Sequence, residues 1–234
     1  MSVSRLKGVQ IMKNTWLIVV IVIFSIVMVF GPTILRKVTW KKIVDALGHK
    51  DFDSLYKIID SKACKLAYPP FNREYLRLNG YLAQENDAKV EKQLKALLDM
   101  NASSKQKGSV YARAFYYYLE KGKSKDAEKM LSKGKGVVDE ATYQNMQMQF
   151  SILVKEEAKY IKECQKMLDS MWDGKSALSE KDKVPVGIIQ YMIGLQYSYL
   201  KDKENQEKYF SQALENLKST DYEQEINKIL KKEG

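Results

Sequence analysis

Two kinds of hydrophobic patterning divide the chain near residue 36. From Trp16 to Leu35 it reads WLIVVIVIFSIVMVFGPTIL, twenty positions without a charge. At about 1.5 Å of rise per residue such a run makes roughly 30 Å of helix, the thickness of a bilayer's hydrocarbon core. After residue 40 apolar residues recur at spacings of three and four, which predicts amphipathic helices nearly to the end. Trp40, Ile43, Val44 and Leu47 form one stripe, and Phe52, Leu55, Tyr56 and Ile59 face back across Gly48-His49-Lys50. Tyr68-Pro69-Pro70-Phe71 is a break, because the second proline does not fit a helix interior.

Four further pairs follow. Tyr75, Leu78 and Leu82 answer Val90, Leu94, Leu97 and Leu98 across Glu85-Asn86-Asp87. A third pair runs from about 109 to 133 and turns at Gly122. The fourth carries Tyr143, Met146, Phe150 and Leu153, then Ala158, Ile161, Leu168 and Met171. Residues 173–186 form the longest polar stretch and read as an extended loop, with Pro185 at or just before a helix start. The last pair covers 187–217, and Tyr222–Lys232 adds a capping helix. Turns near 87, 123, 155 and 202 lie 36, 32 and 47 residues apart. A period in the thirties predicts helix pairs that bury their apolar faces by stacking on their neighbours.

The uncharged run reads as an uncleaved transmembrane helix over 16–35. It is longer than a signal-peptide core, lacks a small-x-small cleavage site, and ends directly in Arg36-Lys37. A basic tail precedes it over 1–15, and the repeat domain is expected over 36–234. Trp16, Arg36 and Lys37 are the expected interface residues, whereas Trp40 is assigned to the core of the first pair. Three basic side chains lie N-terminal to the run and five lie within fifteen residues after it. This asymmetry favours a cytoplasmic C-terminal domain of a single-pass plasma-membrane protein, and counting from Met12 sharpens it to one against five.

Composition narrows the chemistry. Four prolines and twelve glycines in 234 residues argue against a turn-rich β fold. Cys64 and Cys164 do not make a disulfide framework, and with His49 as the single histidine they do not make a zinc site. Both cysteines are expected as buried hydrophobes, with a bond between them open if the domain is exported. The net charge is +10, with a basic excess between 105 and 136. That stretch matches no nucleic-acid fold signature but could meet anionic lipid or cell-wall polymer. No phosphate loop, metal cluster or nucleophile elbow is present, so neither a cofactor nor an enzymatic activity is expected.

At the last pair the residues become specific. Gly194-x-x-Tyr197 followed by Phe210-x-x-Ala213 resembles a tetratricopeptide repeat, and Gly122 with Ala127 repeats its second half in the third pair. The resemblance implies an all-α fold: a transmembrane helix followed by a right-handed α-solenoid of about five helix pairs. Small membrane-anchored repeat proteins of bacteria have this arrangement. It also implies a groove for a protein or peptide partner, lined by Ala112, Tyr116 and Leu119 in the third pair and by Ile188, Tyr191, Leu195 and Ser198 in the last. These positions hold no cationic clamp and read as apolar and aromatic. Tyr116-Tyr117-Tyr118 fan over about 200° of a helix, so they cannot share one buried seam.

Overall fold

The computed structural model describes residues 31–232, and every regular element among them is helical. Contacts divide the chain into two units, Met1–Ser103 and Ser104–Gly234, where the repeat pattern leads one to expect a single domain over 36–234. Among the described residues no helix is long and apolar enough to cross a membrane. Residues 16–30 of the uncharged run, with Trp16, lie outside the described residues.

The first unit begins with α1 over 31–48, followed by α2 (Phe52–Asp60), α3 (Lys62–Ala67), α4 (Pro70–Ala83) and α5 (Asp87–Asp99). Side-chain caps set several of its boundaries. The Asp51 carboxylate accepts from Ser54 N (3.0 Å), the Ser61 hydroxyl from Cys64 N (3.1 Å) and the Asn86 amide oxygen from Lys89 N (3.1 Å). Each satisfies one of the donors that a helix start leaves without an intrahelical partner. Pro70 opens α4 at its first position, where a missing N–H costs nothing. The core gathers Ile43, Leu55, Ile59, Cys64, Tyr68 and Leu76. Gly80 lets α4 approach α2 closely, since a Cβ there would stand 2.8 Å from Leu55 Cδ2.

Two expectations for this unit are corrected. Trp40 is 49% exposed and Val44 is 48% exposed, so neither belongs to the core. The apolar stripe of α1 is instead carried by Thr39, Ile43 and Ala46, one helical turn apart and aimed at α2 and α3. The sequence pattern carries no signal for the six-residue α3. Its Cys64 is fully buried, but Leu66 is 80% exposed, so its periodicity was too short to register.

The second unit contains α6 (Ser104–Glu120), α7 (Ser124–Gly134), α8 (Glu140–Leu153), α9 (Ile161–Met171), α10 (Glu180–Tyr199), α11 (Lys203–Asn216) and α12 (Asp221–Lys232). Within each of the pairs α6–α7 and α10–α11 the two helices pack on each other. Helix α6 also packs on α8, α8 on α10, and α10 on α12, so alternate helices form one continuous row. Helices α7 and α9 pack on the next member of that row. This is the connectivity expected when each pair completes its core on the following one.

Helix α10 is central and is buried nearly all round from Val186 to Gln196. It begins at Glu180, one and a half turns earlier than the sequence indicates, with Pro185 inside it. Two backbone bonds from Asp182 and Lys183 to the Ser179 carbonyl and a Lys183–Glu180 ion pair of 2.6 Å hold the first turn. These contacts, with Glu180 and Asp182 at the positive end of the helix dipole, sustain the turn despite the proline. The polar stretch therefore splits into a short loop and a helical entry.

Candidate partner groove

The row α6, α8, α10 and α12 presents the residues that the resemblance assigns to a groove. On α6, Ala112, Tyr116 and Leu119 are all half-buried. They recur at spacings of four and three and so share one side of the helix. Tyr116 packs edge-on against Phe115 at 5.2 Å between centroids. Burial, with the Asp139 carboxylate at the start of α8, raises its phenol above the ordinary value. Tyr117 is buried and Tyr118 is half-buried, with their rings 5.3 Å apart. The fan of three tyrosines thus divides between core and surface crevice, as its angular spread requires.

On α10 the outcome differs. Ile188 and Ser198 are half-buried, and the Ser198 hydroxyl donates to the Leu195 carbonyl at 2.7 Å. Tyr191 is 2% exposed and Leu195 is 6% exposed, so neither lines an open surface. The physical reason is α12. Tyr222 meets the Tyr191 ring edge-on at 5.3 Å, and Ile226 is fully buried beneath the same helix. On its other side Tyr191 stacks on Phe210 at 6.1 Å. Burial, together with Glu225, holds the Tyr191 phenol far above its ordinary range. The C-terminal helix thus occupies the ground where the last pair was expected to be open.

The residues assigned to repeat packing lie in close-packed or turn positions. A Cβ at Gly194 would stand 2.5 Å from Phe210 Cδ1, so glycine is what lets α10 and α11 meet at this point. Phe210, Ala213 and Ala127 are fully buried, and Tyr197 stacks on Tyr209 at 5.7 Å with an interplanar angle of 14°. Gly122 holds φ +66° in the α6–α7 turn, where Lys123 N donates to the Tyr118 carbonyl at 2.8 Å. That left-handed conformation is open to glycine at little cost.

Several structural residues carry no sequence signal of comparable strength. Gly108 packs against the backbone after α7, where a Cβ would meet the Val137 carbonyl oxygen at 2.4 Å. Gly187 meets Leu217, with 2.7 Å between an added Cβ and Cγ. Buried Gln196 ties three segments together. Its Oε1 accepts from Tyr160 N at 2.8 Å, and its Nε2 donates to the Met192 carbonyl at 3.1 Å and lies 3.7 Å from Cys164 Sγ. Tyr199 donates to the Ile152 carbonyl at 2.9 Å and Tyr209 to Gln165 Oε1 at 2.6 Å, joining alternate helices. A glutamine in a helical stripe reads as a solvated position until its neighbours are known.

Both cysteines are fully buried free thiols. Burial raises the Cys164 thiol to about 11, against the opposing hydrogen bond from Gln196. A thiol held protonated in this way is a poor nucleophile. His49 lies in the turn after α1, its Nδ1 2.9 Å from the Asp45 carbonyl oxygen. Among the described residues no group of three histidines, cysteines or carboxylates could hold a metal ion. Arg36 lies over the Tyr68 ring at 5.2 Å, and its carbonyl accepts from the Tyr68 hydroxyl at 3.2 Å. Lys37 is exposed. Compared with known proteins, the chain matches no family model, no curated protein and no solved structure.

Proposed function

We propose that the protein is a membrane-anchored, tetratricopeptide-like scaffold that holds a protein or peptide partner along α6 and α8, at the end of the row that α12 leaves uncovered. The observation that carries this reading is the row itself, in which alternate helices pack side by side and leave Ala112, Tyr116 and Leu119 half-exposed on one side. Such a surface, apolar and aromatic with no cationic clamp, suits an amphipathic helix or an extended peptide. Anchoring rests on the uncharged run 16–35. In this reading the chain is single-pass in a bacterial plasma membrane, with its C-terminal domain in the cytoplasm, and it performs no catalysis.

Position-specific photocrosslinking tests the groove. A benzophenone side chain is placed at Tyr116 and, as a control, at exposed Lys129 on α7, in living cells. A discrete adduct from position 116 alone, lost when Leu119→Asp is added, supports the groove. Equal adducts from both positions, or none from 116, overturn it.

A second reading draws on α7, where Lys125, Lys129 and Lys133 lie four residues apart and are all exposed. This stripe suits an anionic polymer or lipid headgroups. Its signature is binding to phosphatidylglycerol vesicles that weakens steeply with salt and is lost when the three lysines become glutamates.

A further inference from the structure

Between α1, α2 and α3 lies a groove of about 440 Å³. Its lining is largely aliphatic, from Leu35 and Val38 of α1, Ile58 of α2 and Ala63 of α3, with the hydroxyls of Thr39, Ser54 and Ser61 among them. Lys42 and Lys57 flank it, and no carboxylate is among its lining residues. The apolar surface continues beyond the groove on both sides. Ile34, beside Leu35 and one turn before Val38, is 60% exposed, and Leu66, one turn after Ala63, is 80% exposed. Large aliphatic side chains so open to water, clustered around one groove, mark a surface that meets something apolar.

The position of the groove along the chain selects the occupant. Leu35 is both the last residue of the uncharged run and a wall of the groove. If 16–35 spans a bilayer, the α-helical rise puts Val38 about 5 Å and Lys42 about 10 Å beyond the hydrocarbon edge. The headgroup layer on each side is roughly 5–8 Å deep. Leu35 then falls at the boundary of acyl chains and headgroups, Val38 within the headgroup layer and the Lys42 backbone just outside it, from where its long stem can carry the ammonium group back to phosphate depth. Two lysines beside a largely aliphatic lining complement a lipid that is itself anionic at one end and aliphatic at the other.

We propose that this groove seats an anionic phospholipid of the same bilayer, with its upper acyl carbons on Leu35, Val38, Ile58 and Ala63 and its phosphate between Lys42 and Lys57. The first unit is thereby held on the membrane surface. This rests on the reading of 16–35 as a membrane span.

The full chain carrying Leu66→Cys is labelled with a bimane fluorophore, which Cys64 and Cys164 do not take up because both are buried. It is reconstituted into mixed phosphatidylcholine–phosphatidylglycerol vesicles. Bromine, a contact quencher, is placed near the headgroup end of the acyl chains of one lipid or the other at constant composition. Expected are co-flotation with the vesicles, stronger quenching when phosphatidylglycerol carries the bromine, and loss of that difference in Lys42→Glu/Lys57→Glu. A label at Lys95→Cys on α5 stays unquenched. Co-flotation with no quenching at position 66, with equal quenching from both lipids, or with equal quenching at 66 and 95 overturns the groove while anchoring stands. Absence of co-flotation overturns the anchoring reading and the groove with it.

Discussion

Individual side chains act here mostly through the space they leave or fill. Gly194 and Gly122 are glycines for different reasons, and substitution separates them. An alanine at 194 places a methyl 2.5 Å from the Phe210 ring inside a closed seam. Overpacking of this kind costs about 1–3 kcal/mol. An alanine at 122 meets no atom within 4 Å but must hold φ +66°, a left-handed conformation costing roughly 1–2 kcal/mol. Urea denaturation should show both losses. Only Gly194→Ala should also change the near-ultraviolet signal of Tyr191, which stacks on Phe210. Among titratable groups, burial raises the Tyr199 phenol to about 12, while its hydroxyl donates to the Ile152 carbonyl. The folded state thus holds that proton more tightly than the unfolded chain, whose tyrosines titrate near the ordinary value of 10. Its contribution is complete below pH 10 and is lost as pH rises toward 12. Denaturation followed across this window should show a shallower alkaline decline in Tyr199→Phe than in the wild type. An equal slope would mean that the phenol is not held by the fold.

Helices supply the next scale, and two of them show how packing overrides local signals. Helix α10 contains Pro185 at its sixth position, where the missing N–H leaves one intrahelical bond unmade. Pro185→Ala should therefore stabilise the unit by about 2 kcal/mol, since alanine suits a helix interior about 3 kcal/mol better and the freer unfolded chain returns part of that. A fall in the midpoint would show that the ring itself is needed at the entry to the helix. Helix α12 depends on a single strongly buried residue, Ile226, together with Tyr222 against Tyr191. Ile226→Ala removes aliphatic volume from a closed site and should cost about 2–5 kcal/mol. Because α12 covers Tyr191, the same variant should raise solvent quenching of tyrosine fluorescence in otherwise folded protein. Unchanged quenching with the same loss of stability would place the damage elsewhere in the core.

At the scale of the whole molecule, the two units divide the proposed work. In the proposed reading the second offers the open part of the row at α6 and α8, and the first offers the α1–α2–α3 groove next to the end of the uncharged run. If 16–35 spans a membrane, its topology decides which partners could reach that row. A cysteine at Ser179, in the exposed entry to α10, should resist an impermeant thiol reagent in intact cells and react after lysis. Reaction in intact cells would place the domain outside. Cys64 and Cys164, both fully buried, should stay silent in either case.

Helix periodicity along the chain was enough to place most of the elements, because an amphipathic helix writes its buried face at spacings of three and four wherever it packs. The turns at Glu85-Asn86 and Gly122 were legible for a local reason: Asn86 caps α5 and Gly122 takes a left-handed φ. The close approach at Gly194 was legible because glycine, Phe210 and Ala213 recur in a recognisable order. Other features are decided between segments distant in sequence. Trp40 and Ile43 are both apolar members of one helix, yet only Ile43 faces α2 and α3. Tyr191 became core because α12 folds over it, and Gln196 became core because the Tyr160 backbone needed an acceptor. The α1–α2–α3 groove joins Leu35, Ile58 and Ala63 across two turns of chain. Local sequence fixes which residues seek burial; only the packed structure settles which of them find it, since burial is a property of a residue's neighbours.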